Sequence, residues 1–268
     1  MKLILVLKGG SLSKTEVYTD RGHTWVRKSI SVDNEREYGI VRWQSQLRKL
    51  QLLRERLPNN VVPIHNAGLS NGYYFYDMPY VSRSYNLVEA LHNGINPTLI
   101  SEKLSGLIRN LASFQFNSIK GSISVYLNEE LRRPMLVALK FLSKQTLYLT
   151  PNEASKLSYR ISASLDLVDE LIAKHGKTIL YECLTHGNFT LENAMWNDKT
   201  QDIIMIDPYG ETYCETILGD VSQILQSSLS GYEFVSNYIQ KQKYSVINYP
   251  YDKIPEQLTD FTRIFEQQ

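Results

Sequence analysis

The stretch that decides the fold is "LTHGNFTLENAMWNDKTQDIIMIDP", residues 184–208. It joins a loop rich in turn residues to a turn at Asn197–Asp198 and then to the apolar, strand-type run "IIMI". Asn193 lies five residues after Asn188, and Asp207 follows Asn193 by fourteen residues. A loop, a two-stranded hairpin and a returning acid can bring these three side chains together. The spacing therefore predicts one polar pocket at the exit of the strand.

The residue types in this predicted pocket suit phosphoryl transfer. That reaction needs oxygen ligands that hold Mg²⁺ on the phosphates and a group that orients the attacking hydroxyl. Asn193 and Asp207 suit the first task, and position 188 suits the second.

The first third of the chain has the pattern of an antiparallel sheet with one helix. An apolar run over residues 2–7 precedes "TEVYTD" and "HTWVRKSIS", which flank a turn at 20–22, so three antiparallel strands are predicted. A second hairpin is predicted across 70–72. Between them, apolar residues recur at steps of three and four from about residue 35 to 56, which predicts an amphipathic helix.

The rest of the chain has mainly helical patterns. Helices are predicted from about 98 to 116 and onward to about 175 with a break at 151–153, and another begins at Asp220. The Tyr-rich segment 244–258 is predicted to be irregular. The sequence therefore predicts an α+β molecule with two lobes, residues 1–80 and 81–268, that share a cleft.

Composition excludes several functional classes. The 268 residues carry a formal charge of +1, which gives no basic surface for nucleic acid. No apolar stretch approaches the roughly 20 residues that cross a bilayer, and the apolar run at the N-terminus is too short for a secretory signal. Cys183 and Cys214 form no metal-ligand cluster and favour a reducing, cytoplasmic setting, with two thiols preferred over one bridge.

The segments "HGNFTLEN", "IDP" and "GD" resemble the catalytic region of the aminoglycoside phosphotransferase and choline kinase superfamily. The pattern of that superfamily is His-Gly-Asp, four residues, Asn, and then Ile-Asp. Within it, "IDPYGE" and "GDVSQIL" are most similar to phosphotransferase-like proteins of bacterial capsule and surface-polysaccharide loci. The resemblance implies a bilobal protein-kinase-like fold. Its small antiparallel-sheet lobe, with one helix, would bind the nucleotide, and its larger helical lobe would carry the catalytic loop.

The resemblance also implies cofactors and roles for residues. ATP or GTP would bind with Mg²⁺ held by Asn193 and Asp207, while His186 and Asp220 would brace the loop. Lys28 would pair with the nucleotide phosphates. The remaining nucleotide contacts would come from a flexible cover and from the connector between the lobes: Gly9, Gly10, Ser11 and Ser13, and then Met78, Tyr80 and Val81 of "MPYV".

The sequence departs from this pattern in three places. Asn188 stands where the superfamily has its catalytic Asp, and loss of a general base typically costs about 10²–10⁴-fold in rate. No Glu lies sixteen to nineteen residues after Lys28, where a partner on the helix is expected; Gln44 and Gln46 are there instead. "KGGSLS" is not a full Gly-rich fingerprint. Arg27 also competes with Lys28 for the role, because adjacent strand residues point to opposite faces.

Two functional hypotheses follow, from different classes. The first is a Mg²⁺-assisted phosphotransferase acting on a small hydroxyl-bearing molecule, such as a sugar or a surface-glycan precursor, with Asn188 giving a weakened or trapped form. The second is a catalytically inactive nucleotide-binding or regulatory module. A kinase acting on protein or tRNA is a weaker third, because no activation segment is evident after Asp207.

Overall fold

The computed structural model describes residues 1–7, 13–32, 37–143, 150–210, 214–230 and 256–268. Its first five strands form an antiparallel sheet in the order β1-β2-β3-β5-β4. The strands are β1 (Lys2–Leu7), β2 (Lys14–Asp20), β3 (His23–Ser31), β4 (Asn66–Ser70) and β5 (Tyr73–Pro79). The three predicted N-terminal strands and the later hairpin are thus confirmed.

Both predicted hairpins turn on two-residue loops. Asp20 pairs with His23 across Arg21–Gly22, and Ser70 pairs with Tyr73 across Asn71–Gly72. All four loop residues have positive φ, between 48° and 83°. Two-residue loops of this geometry match the right-handed twist of the strands that they connect, and Asn and Gly tolerate it best. The turn residues in the sequence therefore located both hairpins correctly.

One helix, α1 (Glu37–Arg56), accompanies this sheet. Its apolar face buries Trp43, Leu50 and Leu53, and the Trp43 ring packs against the rings of Tyr74 and Tyr76 on β5. The periodicity that predicted the helix is the pattern that this packing requires. The predicted start near residue 35 lies outside the described residues.

The larger part of the molecule is helical, as expected. The helices among its described residues are α2 (Leu87–His92), α3 (Pro97–Ser113), α4 (Ile123–Leu127), α5 (Arg133–Leu142), α6 (Pro151–His175), α7 (Ile217–Ser230) and α8 (Glu256–Phe265). A π-helical turn, Asn128–Arg132, links α4 to α5. Helix α6 begins at a capping box between Thr150 and Glu153, where the sequence predicted a break and a fresh start.

Two small sheets lie in this part of the chain. Strands β6 (Ser84–Asn86), β9 (Ala194–Asn197) and β10 (Asp202–Met205) form one of them, in the order β10-β9-β6. Strands β7 (Gln115–Ser122) and β8 (Ile179–Cys183) form the other. The β9–β10 hairpin is the element that returns the chain from the loop at 186–193 to Asp207. The predicted lobe boundary at residue 80 falls between β5 and β6.

Three predicted boundaries are wrong. Residues 115–122 are strand β7 rather than helix, because they pair with β8, about sixty residues further along the chain. Helix α7 begins at Ile217, three residues before the predicted Asp220. Residues 256–258, the end of the segment predicted as irregular, belong to helix α8, because Leu258, Phe261 and Phe265 bury one face against the core. Residues 244–255 of that segment lie outside the described residues.

The core is continuous between the sheet and the helices. One cluster of buried apolar side chains extends from Val17 on β2 through Trp196 on β9 to Phe261 on α8. None of the described helices is long and apolar enough to cross a membrane.

Candidate active site

The loop that carries His186 and Asn188 depends on a glycine between them. Gly187 has φ +77°, and a Cβ atom there would overlap the carbonyl oxygen of Tyr209. The Tyr209 N–H also donates to the His186 carbonyl at 2.9 Å, so the two segments lie in direct contact. Only a residue without a side chain fits this approach in this backbone region. The "HGN" spacing therefore has a steric basis.

Asp220 on α7 holds the same loop through its carboxylate. Its two carboxylate oxygens accept the N–H of His186 at 2.6 Å and the N–H of Gly187 at 2.7 Å. The side chain is fully buried, and this burial raises its pKa to about 6 in spite of the two N–H donors. Both oxygens are occupied by the backbone, which suits a bracing role rather than proton transfer.

His186 also holds this loop in place, through hydrogen bonds of its imidazole ring. Its Nε2 lies 2.8 Å from the carbonyl oxygen of Ile206, which can only accept, so Nε2 carries the proton. The Asn188 N–H donates to Nδ1 at 3.3 Å. Burial lowers the pKa of His186 to about 4, so the imidazole is neutral near pH 7. A neutral ring with both nitrogens hydrogen-bonded to the backbone orders the loop.

The three residues that the sequence predicted to meet do lie together. Asn188 Nδ2 donates to the backbone carbonyl of Asp207 at 3.3 Å, and Asn193 Nδ2 donates to the backbone carbonyl of Asn188 at 2.9 Å. The Ile206 N–H donates to the Asn193 carbonyl at 3.0 Å. Asp207 has φ +53°, in the left-handed region that residues other than glycine enter rarely and Asp and Asn more often than most.

Lys28 on β3 also lies at this site. Its ammonium group is 2.7 Å from Asp207 Oδ1, and its side chain is 2% exposed while that of Asp207 is 36% exposed. Arg27 points to the opposite face of the sheet, where it pairs with Asp77 at 2.7 Å. Of the two cations, Lys28 is therefore the one that lies beside Asp207.

Among the described side chains, the structure shows no acid of helix α1 paired with Lys28. Gln44 is exposed and Gln46 is buried, and the acid beside Lys28 is instead Asp207 from the larger lobe. Sequence reasoning missed Tyr76, which pairs with Lys28 across β3 and β5. It also missed the buried pair between Lys49 and Glu215, for which no motif gives a signal.

The predicted nucleotide-binding residues are only partly described. Gly9, Gly10 and Ser11 lie outside the described residues, and Ser13 is half-buried just before β2. Met78 is a buried residue of β5. Of the connector, the Tyr80 N–H donates to the Thr24 carbonyl at 3.4 Å, and Val81 packs partly against the core.

The side chains at this site fit a hard cation bound with phosphates. Asn193 donates through its amide nitrogen, which leaves the oxygen as the ligand atom, and Asp207 offers a partly exposed carboxylate. The buried hydroxyl of Tyr76 has no hydrogen-bond partner within the described structure. Mg²⁺ is commonly held by one or two protein oxygens, with waters and substrate phosphates completing its octahedron. The described residues contain no cluster of three or more His, Cys, Asp or Glu for a different kind of metal site.

A cavity of about 360 Å³ lies against Gly187, the residue that precedes Asn188. Its polar lining includes Tyr126, Glu130, Thr216, Gln223 and Gln226. Gln223 also donates from its amide nitrogen to the Gly187 carbonyl at 3.3 Å, and its amide oxygen accepts the Phe189 N–H. The volume of this cavity suits a small organic molecule.

A small antiparallel sheet with one helix, a larger helical part and a braced loop facing a strand-exit acid define a protein-kinase-like fold. The aminoglycoside-3'-phosphotransferase of type VIII has a similar structure, with a TM-score of 0.50 and 14% identity over 99% of this chain and 93% of that one. This likeness supports the predicted fold class. The "Putative fructosamine-3-kinase" of Haemophilus somnus 129PT aligns with a TM-score of 0.49 and 14% identity, over 99% of this chain and 91% of that one.

Neither comparison by sequence adds to this. No protein-family model matches the chain, and no curated protein matches it. At 14% identity the structural likeness concerns the fold alone.

Proposed function

We propose that this protein is an ATP- or GTP-dependent, Mg²⁺-assisted phosphotransferase that acts on a small hydroxyl-bearing molecule. The observation that carries the proposal is the ion pair between Lys28 and Asp207, formed beside Asn188 and Asn193. A buried cation, an oxygen ligand pair and a polar loop in one place are the parts that phosphoryl transfer requires. The fold of an aminoglycoside phosphotransferase is consistent with this chemistry.

Each side chain has a task in this proposal. The ammonium group of Lys28 would hold the nucleotide phosphates, and the oxygens of Asn193 and Asp207 would hold Mg²⁺, which neutralises the charge that develops on the transferred group. Asn188 would orient the acceptor hydroxyl. His186, neutral and engaged on both ring nitrogens, would hold that loop in place. An amide cannot accept the proton of the hydroxyl, so we expect slow turnover with Asn188.

The cavity against Gly187 is the proposed acceptor site. Its lining offers neutral hydrogen-bonding groups and the carboxyl group of Glu130. This lining suits a hydroxyl-rich molecule such as a sugar or a surface-glycan precursor, in line with the resemblance to proteins of capsule loci. The setting that we propose is the cytoplasm, where nucleotide and Mg²⁺ are available and the buried thiols of Cys183 and Cys214 stay reduced.

Calorimetric titration with Mg-ATP and with Mg-GTP tests the proposal without knowledge of the acceptor. We expect micromolar binding of at least one nucleotide, about −8 kcal/mol, and its loss in Asp207→Ala. The matched control is Asp202→Ala on the same hairpin, where the carboxylate faces Lys103 at a distance of 3.9 Å. Absence of binding to both nucleotides, or equal loss in the two variants, would refute the nucleotide site.

The alternative is a kinase-like module that binds a nucleotide without turnover. Asn188 favours it, since its amide group is already hydrogen-bonded to the Asp207 carbonyl. Nucleotide binding together with no product, even after Asn188→Asp, would support this alternative over the enzyme.

A further inference from the structure

One face of helix α1 contacts the larger lobe along its length. Arg42, Ser45 and Lys49 follow one another at steps of three and four and therefore share a face. The Arg42 guanidinium lies 5.1 Å from the centre of the Tyr209 ring. The hydroxyl of Ser45 packs so closely on Gly210 that a Cβ there would overlap it. The helix of the small lobe is thus packed on the segment that follows Asp207.

Lys49 makes the strongest of these contacts. Its Nζ lies 2.5 Å from both carboxylate oxygens of Glu215 and 3.2 Å from Thr185 Oγ1. The Lys49 side chain is 4% exposed and that of Glu215 is 22% exposed. A buried ammonium group paired with one carboxylate through both of its oxygens is costly to disrupt, because removal of either partner leaves the other charge uncompensated.

Both partners of Lys49 lie next to the residues that hold the 186–188 loop in place. Thr185 is buried and directly precedes His186. The Glu215 carbonyl accepts the N–H of Cys183 at 2.8 Å, and Glu215 lies five residues before Asp220, whose carboxylate holds the N–H groups of His186 and Gly187. Lys49 therefore links helix α1 to Thr185, which directly precedes the 186–188 loop, and to Glu215, which precedes the helix whose Asp220 holds that loop.

We propose that Lys49 is a positioning residue that clamps helix α1 to the catalytic loop through Glu215 and Thr185. This clamp takes the place of the Lys–Glu pair within the small lobe that a kinase-like site would lead one to expect. The Lys28–Asp207 pair cannot serve as a lasting clamp, because its carboxylate is also the proposed Mg²⁺ ligand. The effect on catalysis rests on the proposed function, whereas the clamp itself does not.

Amide hydrogen exchange on the full chain tests the clamp without any ligand. In Lys49→Met we expect the amides of 183–189 to exchange about tenfold faster or more, while those of 100–111 in α3 keep their rates. Lys49→Arg should keep exchange within about threefold of wild type, because it retains the charge. The control is Arg133→Met, which removes a surface pair with Glu129 at 3.0 Å. Unchanged exchange at 183–189 in a folded Lys49→Met protein would overturn the proposal.

A second measurement covers the case in which Lys49→Met does not fold. Glu215→Gln retains an oxygen acceptor at the same position, and its exchange at 183–189 should rise about tenfold. Unchanged exchange at 183–189 in Glu215→Gln would overturn the clamp. Where Lys49→Met does fold, the exchange rates of the double variant Lys49→Met/Glu215→Gln should differ little from those of the worse single variant. Additive effects of the two changes would mean that the residues act separately, which would overturn the clamp.

Nucleotide binding and turnover separate the clamp from the proposed function. With Mg-ATP we expect Lys49→Met to keep its Kd within about threefold of wild type and to lower kcat about tenfold. A larger loss of affinity than of kcat would show that Lys49 acts on the nucleotide and would overturn the positioning role. If neither protein binds a nucleotide, the proposed function fails, and the exchange data still decide whether the clamp exists.

Discussion

Lys28 and Lys49 are both buried lysines of the small lobe, and each pairs with a carboxylate of the larger lobe. Their surroundings differ. The partner of Lys28 is partly open to solvent and lies at the end of a strand beside Asn188, whereas Glu215 accepts Lys49 through both oxygens beside buried Thr185. The more exposed carboxylate of Asp207 can exchange one cation for another more readily than the carboxylate of Glu215, which is 22% exposed and holds Lys49 through both oxygens. Similar ion pairs can therefore have different roles. The Lys28–Asp207 pair would take part in the proposed reaction, and the Lys49–Glu215 pair would hold helix α1 against the larger lobe.

The change with the largest expected effect concerns the first region alone. Asn188→Asp introduces a carboxylate that can accept a proton, so turnover should rise by about 10²–10⁴-fold. Initial rates of Mg-ATP hydrolysis by the two proteins measure this without the natural acceptor. Amide exchange around Lys49 should stay the same in the variant. Equal rates for the two proteins would contradict a role for position 188 in the chemistry.

The two lysines should also differ in how much each contributes to the free energy of unfolding. Lys49→Met leaves Glu215 without its cation and should lower the free energy of unfolding by about 3 kcal/mol. Lys28→Met should cost only about 1 kcal/mol, because Asp207 is 36% exposed and water solvates its charge. Urea unfolding of the two variants gives both values. A greater loss of stability for Lys28→Met would reverse the comparison.

The pH dependence of stability tests His186 and Asp220, the two buried titratable groups that hold the 186–188 loop. Above about pH 6.5 His186 is neutral in both states, and between pH 6.5 and about 4 only the unfolded chain takes up its proton. The neutral ring therefore stabilises the fold above this window, and about 3 kcal/mol is lost as the pH falls through it. Burial of Asp220 acts in the opposite direction, since its folded pKa of about 6 lies above the usual 3.8 and stability rises as the pH falls between these values.

His186→Gln isolates the contribution of the histidine. The amide group of Gln keeps an N–H donor for the Ile206 carbonyl but does not titrate. We expect the variant to lose less stability than wild type between pH 7 and pH 4.5, measured by urea unfolding at both values. Parallel pH profiles would mean that His186 does not titrate differently in the folded and unfolded states.

The last prediction concerns nucleotide affinity. Lys28→Met should weaken Mg-ATP binding by about 100-fold, worth about 2.7 kcal/mol, while Lys49→Met stays within about threefold. Calorimetric titration of the two variants side by side measures both. Arg27→Met, on the opposite face of the same strand, is the matched control and should bind as wild type does. Equal losses for Lys28 and Arg27 would remove Lys28 from the site.

Local patterns in the sequence were sufficient for most of the small lobe. Turn residues located both hairpins, and steps of three and four located helix α1, because these signals depend on neighbours within a few residues. The alternation of a strand also explains why only one of Arg27 and Lys28 could face the site. Prediction from the sequence was wrong where a segment pairs with a distant part of the chain. Strand β7 is the example, because its partner strand comes about sixty residues later.

The sequence by itself determined which side chains form the loop at 186–193 and its returning acid, because their spacing leaves few ways to arrange one loop and one hairpin. Tertiary structure alone decided what the two lysines hold. Lys28 and Asp207 are 179 residues apart, and Lys49 and Glu215 are 166 apart. At such separations no periodicity relates the partners. Only the packing of helix α1 against the larger lobe brings each cation to its carboxylate.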